Sequence, residues 1–128
     1  MNRMIVAGSI SAALAVILGA FGAHALKARL AAEQLQVFET GVRYQFYHAI
    51  GLIIVGILSG RLNSGLLNSA GYLFIAGTLF FSGSLYLLST KQLLGIESWR
   101  FLGPVTPFGG LMFIAGWIML ATAAIKGQ

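Results

Sequence analysis

His24 and His48 are the two histidines of this 128-residue chain. A pair of imidazoles on neighbouring helices can serve as axial ligands to haem iron, an arrangement that helix bundles accommodate. Between them stand Glu39 and Arg43, four apart in the acid-before-base order that favours a helical ion pair, a contact worth about 0.2–0.5 kcal/mol. Tyr44 follows, one helical turn before His48, so the two share a helix face. If the chain reverses between the histidines, His24, Glu39, Arg43, Tyr44 and His48 meet near one end of their helices as a polar cluster. Glu39 then pairs with Arg43, and at least one histidine hydrogen-bonds to the group. The simpler alternative is that each of these side chains anchors a helix end among lipid headgroups.

The elements that would position these residues are written in long apolar runs. Four stretches, at about 4–24, 44–60, 66–90 and 107–125, each approach the roughly 20 helical residues needed to cross a hydrocarbon core of about 30 Å. The composition agrees: 58% of residues are hydrophobic and 9% are charged, where soluble domains carry about 25% charged residues. A water-soluble core cannot hide so much apolar surface in a chain this short, so lipid must cover it. The expected fold is therefore an all-α, integral membrane four-helix bundle, built as one domain.

Between the first two spans the pattern changes. Over about 26–43, Leu26, Leu30, Leu35, Val37, Phe38 and Val42 fall on one half of a helical wheel, and Arg29, Glu33, Gln36, Glu39 and Arg43 on the other. That is the signature of an amphipathic helix lying in the membrane interface, and it predicts an additional helix joining spans one and two. Lys27 and Gln34 interrupt the pattern, and Gly41 is a site where the helix is expected to bend or end.

Other residues punctuate the spans. Ala15, Gly19 and Ala23 repeat every four positions, and Gly56 with Gly60 forms a GxxxG. Small residues at that spacing let helix backbones approach in lipid, so Gly19, Ala23, Gly56 and Gly60 are the expected packing positions. Asn63, Ser64 and Gly65 leave room only for an antiparallel hairpin. Thr106 and Pro107 read as the N-cap and first turn of the last helix. In the third span, Ser82, Tyr86 and Ser89 form a polar stripe that approaches the side bearing Tyr44 and His48. Ala23, His24 and Ala25 imitate a signal-peptidase site, but the preceding apolar run is longer than a leader needs, so the first span is expected to be retained.

Charge excludes some partners and orients the chain. The net charge of +5 comes from basic residues scattered at span ends, with no basic stripe of the kind nucleic acid requires. Lys27, Arg29, Arg43, Lys91 and Arg100 fall on one membrane face and Arg3, Arg61 and Lys126 on the other. The excess of Lys and Arg on the first face predicts that it is cytoplasmic, with both termini on the far side. Cysteine is absent, which excludes disulfides and thiol chemistry.

The run Gly19-Ala20-Phe21-Gly22-Ala23-His24, paired with Phe38-x-Thr40-Gly41-x-x-Tyr44-x-x-x-His48, resembles the domain of unknown function 423 family. The resemblance extends over essentially the whole chain. It implies a small four-helix protein of the bacterial inner membrane and carries no established reaction.

Function is read by elimination. No HExxH, no GxSxG and no paired carboxylates occur, and the serines of the third span have no acid or base at motif spacing. An enzyme is accordingly not expected, and neither is a metal or a resident cofactor. The favoured reading is a non-enzymatic accessory or envelope-maintenance protein whose partners are membrane lipids, a second copy or another membrane protein. One alternative is a small transporter, though its usual intramembrane acid is missing: Glu33, Glu39 and Glu97 all lie in loops or interfacial segments. The other is a haem- or metal-binding protein using His24 and His48.

Overall fold

The computed structural model describes residues 1–127, with Ser64 described by its backbone alone. Among the described residues there are six α-helices and no strand. Helix α1 spans Arg3–Phe21 and runs on through a π-helical turn, Gly22–Leu26. Helix α2 spans Ala32–Leu58. Helix α3, Ser64–Gly77, passes through a second π-helical turn, Thr78–Ser82, into α4, Gly83–Ser89. A single turn, α5 at Lys91–Leu94, precedes α6, Leu102–Lys126. Four stretches, Arg3–Leu26, Ala32–Leu58, Gly65–Ser89 and Leu102–Lys126, are long and apolar enough to cross a membrane.

The caps explain where these helices start. The side chain of Asn2 accepts from Ile5 N at 3.2 Å, and its amide donates to the Gly56 carbonyl at 2.8 Å, so one residue both caps α1 and ties it to α2. Asn63 caps α3 by accepting from Leu66 N at 3.0 Å, while its own N–H reaches the Gly127 carbonyl at 3.0 Å. The α2–α3 turn is thereby joined to the end of α6. This places both ends of the chain on one membrane face, as an up-down-up-down order requires.

Two elements differ from the sequence expectation. The segment at about 26–43 is not a separate interfacial helix: its first residues form the π-helical turn and a short reversal, and the rest is the opening of α2. At 1.5 Å per residue the 27 residues of α2 extend about 40 Å, more than the hydrocarbon core, so its polar first turns reach the headgroup region as part of the same continuous helix. Gly41 does not end it: the helix runs on through this position, where the Tyr86 ring would lie 2.8 Å from a Cβ. Helix α6 starts at Leu102, five residues before the expected first turn. Pro104 falls in its first turn, where an N–H has no acceptor to lose, and Thr106 turns its hydroxyl onto the Leu102 carbonyl at 3.3 Å instead of capping.

The four stretches pack as two hairpins. Helix α1 lies along α2, α6 lies along α3, and α2 joins the pairs through α3, the second π-turn and α4. Close approach depends on missing side chains: a Cβ on Gly8 would stand 2.6 Å from the Ala49 carbonyl oxygen, and one on Gly109 would run into the Phe81 backbone. Where α2, α3 and α6 meet, Leu52, Val55, Leu67, Ala70, Phe74 and Phe113 form the buried core. Isoleucines and leucines elsewhere face outward, Ile10, Ile17, Leu111 and Ile118 among them. Lipid is the solvent that accepts them.

Candidate functional site

Helix α2 carries most of the polar chemistry inside the bundle, and it presents two nearby residues to opposite neighbours. Gln45, 5% exposed, donates from Nε2 to the Ser11 carbonyl of α1 at 2.9 Å and accepts at Oε1 from the Tyr86 hydroxyl of α4 at 2.6 Å. One turn away, Ser82 in the π-helical turn donates to the Gly41 carbonyl at 2.7 Å. The extra residue of a π-turn rotates the downstream helix relative to the upstream one, which is how Ser82 and Tyr86 both come to face α2.

His48 takes the other side. It is 4% exposed and stacks on Phe113 of α6, ring centroids 3.5 Å apart and 7° from parallel, with Phe74 and Trp117 completing the enclosure. The Trp117 indole donates to Nε2 at 3.0 Å. An indole N–H can only donate, so Nε2 must be an acceptor and the ring proton sits on Nδ1, which donates to the Tyr44 carbonyl at 2.6 Å. Both nitrogens are therefore committed, one within α2 and one across to α6. A ligand or a second proton could reach Nε2 only by displacing Trp117.

The residues singled out in the sequence do not gather in one place. Tyr44 is half-exposed and packs its ring on Phe81, Tyr47 and His48. Arg43 is exposed and donates to the Thr40 hydroxyl at 3.1 Å. Among the described residues no ion pair joins it to Glu39, which is half-buried one turn earlier. Thr40 sits between them and captures the guanidinium, its own proton going to the Gln36 carbonyl at 2.9 Å. His24 is exposed in the π-helical turn that ends the first span. Gly22 packs there against Phe38, ten residues before His48, a separation of about 15 Å along the helix. His24 and His48 cannot share a haem iron across that distance.

Of the small residues, Gly56 lies where α1 meets α2, a Cβ there falling 2.5 Å from Ile5, and Gly19 makes ordinary contact with Val42. Ala23 is exposed, and Gly60 lies in the turn beyond α2 at φ 86°. The face of the first span that packs carries Met4, Gly8 and Ala15 of α1 and Gly22 of the π-helical turn, all buried, with Gly19 at its edge. Sequence reasoning missed Gln45 and Trp117. A glutamine inside an otherwise apolar run was the available signal for the first. Trp117 had none, because its partner lies 69 positions away.

Two further side-chain bonds tie helices together: Ser84 and Thr106 are hydrogen-bonded at 2.6 Å between α4 and α6, and Asn2 holds Gly56. Thr78 turns instead to its own helix, at the Phe74 carbonyl. Among the described residues, no buried side-chain nitrogen or oxygen is left without a partner. No group of three or more metal-ligating side chains occurs among them either.

Comparison with known proteins places this architecture. The family described as "Protein of unknown function (DUF423)" matches residues 18–110, which include Gly22, His24, Gly41, Gln45 and His48. The chain is 47% identical over 127 residues to the UPF0382 membrane protein YwdK of Bacillus subtilis, covering 98% of each. It is 44% identical over 126 residues to the UPF0382 membrane protein SH2409 of Staphylococcus haemolyticus, again covering 98% of each. No solved structure matches. A four-span helical protein that keeps this length and this much identity across such relatives belongs to the DUF423 family of membrane proteins.

Proposed function

We propose that the chain is a non-enzymatic accessory protein of the inner membrane, whose work is done by the packed helical body and not by reaction at a centre. One observation carries the reading: the buried polar side chains on facing helices are spent on one another. Gln45, Tyr86, Ser82, Ser84, Trp117 and His48 each bond to a neighbouring helix, so none is held ready for a substrate. In lipid such bonds serve as helix glue, each worth about 0.6 kcal/mol and up to about 1.7. The inner membrane is the compartment that suits helical spans, since outer-membrane proteins cross as β-barrels. Lipid covers the outward faces, and association with a second copy or another membrane protein belongs to the same proposal.

A strain lacking the protein should lose tolerance to a membrane-perturbing detergent and recover it when the chain is restored, while proteoliposomes of the pure protein show no substrate-driven ion flux. Saturable flux from those proteoliposomes, together with full detergent tolerance in the deletion strain, would reject the accessory reading in favour of a transporter.

A further inference from the structure

Helix α1 touches α2 along its length yet leaves a gap against α3 and α4, and the gap holds two adjoining apolar cavities. The deeper, about 540 Å³, runs from Ala7 and Leu14 across to Leu79 and Gly83, with Gln45 at its floor. The outer, about 570 Å³, is bounded by Leu26, Phe38 and Leu94 and reaches Arg29. Tyr86 lines both and lies where they meet. From Ala7 to Leu26 the groove follows α1 for about 28 Å at 1.5 Å per residue, nearly the full hydrocarbon thickness of about 30 Å and about twice one leaflet.

The dimensions select the occupant. The walls are apolar over the whole length, and one extended hydrocarbon chain spans it from end to end. An ordinary acyl chain ends near the midplane, at about 15 Å, and would leave the deeper cavity unfilled. At the outer mouth Arg29 is exposed and its side chain makes no hydrogen bond or ion pair among the described residues, so its fixed positive charge is free to meet an anionic headgroup.

The geometry points to a binding site for a single-chain lipid phosphate whose tail is longer than one leaflet, the chemistry of a long polyprenyl phosphate. Arg29 receives the phosphate, and the tail runs past Tyr86 to the level of Leu14 and Ala7. No bond is made or broken, so the site binds and presents the lipid.

Gly83 allows a clean test. A Cβ there would meet nothing within 4 Å, and Gly83 lines the deeper cavity, so Gly83→Leu introduces its side chain into the groove from an uncrowded position. The protein in phosphatidylcholine nanodiscs would be titrated with a long-chain polyprenyl phosphate, the matching polyprenol without phosphate, phosphatidylglycerol and inorganic phosphate, with bound lipid read by native mass spectrometry. Expected is a one-to-one adduct with the polyprenyl phosphate, weakened about tenfold or more in Gly83→Leu, about tenfold in Arg29→Ala and unchanged in Arg61→Ala on the opposite face. Retention of phosphatidylglycerol equal to that of the polyprenyl phosphate would overturn the site and leave an ordinary lipid-facing surface. So would undiminished binding by Gly83→Leu. In the wild-type protein, a photoreactive group at the tail end should label Leu14, Leu79 or their neighbours in the groove. Labelling spread evenly onto Leu111 and Ile118 of α6 would also overturn it.

Discussion

At the scale of the residue, His48 is held on every side: both ring nitrogens are hydrogen-bonded and its face is stacked on Phe113. Its stack on Phe113 and its bond from Trp117 were both out of reach of sequence reasoning, which placed His48 with its neighbours in the chain because helical spacing is the only geometry a linear sequence displays. The polarity of Glu39 and Arg43 was legible, but their pairing was not to be had from spacing alone. A threonine between them offers the guanidinium a nearer oxygen. The His48–Trp117 tie is testable by a double-mutant cycle in detergent. Trp117→Phe leaves Nε2 without its donor and His48→Phe leaves the indole N–H without its acceptor, so each alone should lower stability, and the double variant should lose less than the sum by about 0.6–1.7 kcal/mol. Strict additivity, or a nitrogen spectrum showing the ring proton on Nε2, would dissolve the tie.

At the scale of the element, span length and composition were enough to find four crossing helices, because burying about 20 apolar residues in lipid leaves few alternatives. The boundaries were harder. An amphipathic turn and an apolar span repeat with the same 100° period, so nothing in the periodicity of residues 32–58 marks where one would end, and the continuous α2 emerges only in the structure, where the helix runs on through Gly41. Neither π-helical turn carries a composition of its own. The small residues of α1 were legible as a class, whereas the face that packs was not: Ala15 and Gly19 lie on or beside it, Ala23 does not, and Gly8 makes the tightest approach. Gly8→Ala should therefore cost about 1–3 kcal/mol through overpacking against the Ala49 carbonyl. Gly19→Ala should cost under about 1 kcal/mol, since its Cβ would meet only Val42 at 3.4 Å. Thermal unfolding of the two variants in the same detergent checks the order, and a Gly19 variant that melts first would mean the α1–α2 interface has been misassigned.

At the scale of the whole molecule, the bundle is an asymmetric one in which α2 is the hub and α1 the most lipid-exposed helix. Placing Lys27, Arg29, Lys91 and Arg100 at one end of the bundle and Arg3, Arg61 and Lys126 at the other follows from the joined turn and C-terminus. Arg43, about three turns into α2, belongs to the first end as well. By the basic-residue rule both termini should face away from the cytoplasm. Paired reporters fused beyond Lys126 would settle the direction: an active periplasmic reporter with a silent cytoplasmic one is expected, and the reverse pattern would invert the molecule without changing its packing.

The central claim is that this body acts through its packing, and the most direct measurement sets function against stability in one panel. Variants His48→Gln, Trp117→Phe, Gln45→Leu, Tyr86→Phe, Ser82→Ala and Gly8→Ala would each be scored for melting temperature and for rescue of the deletion strain. Rescue is predicted to follow melting temperature on a single curve whichever polar atom has been removed. A variant that melts like the wild type yet fails to rescue, at His48 or Gln45 above all, would contradict the account and mark that side chain as one that does chemistry.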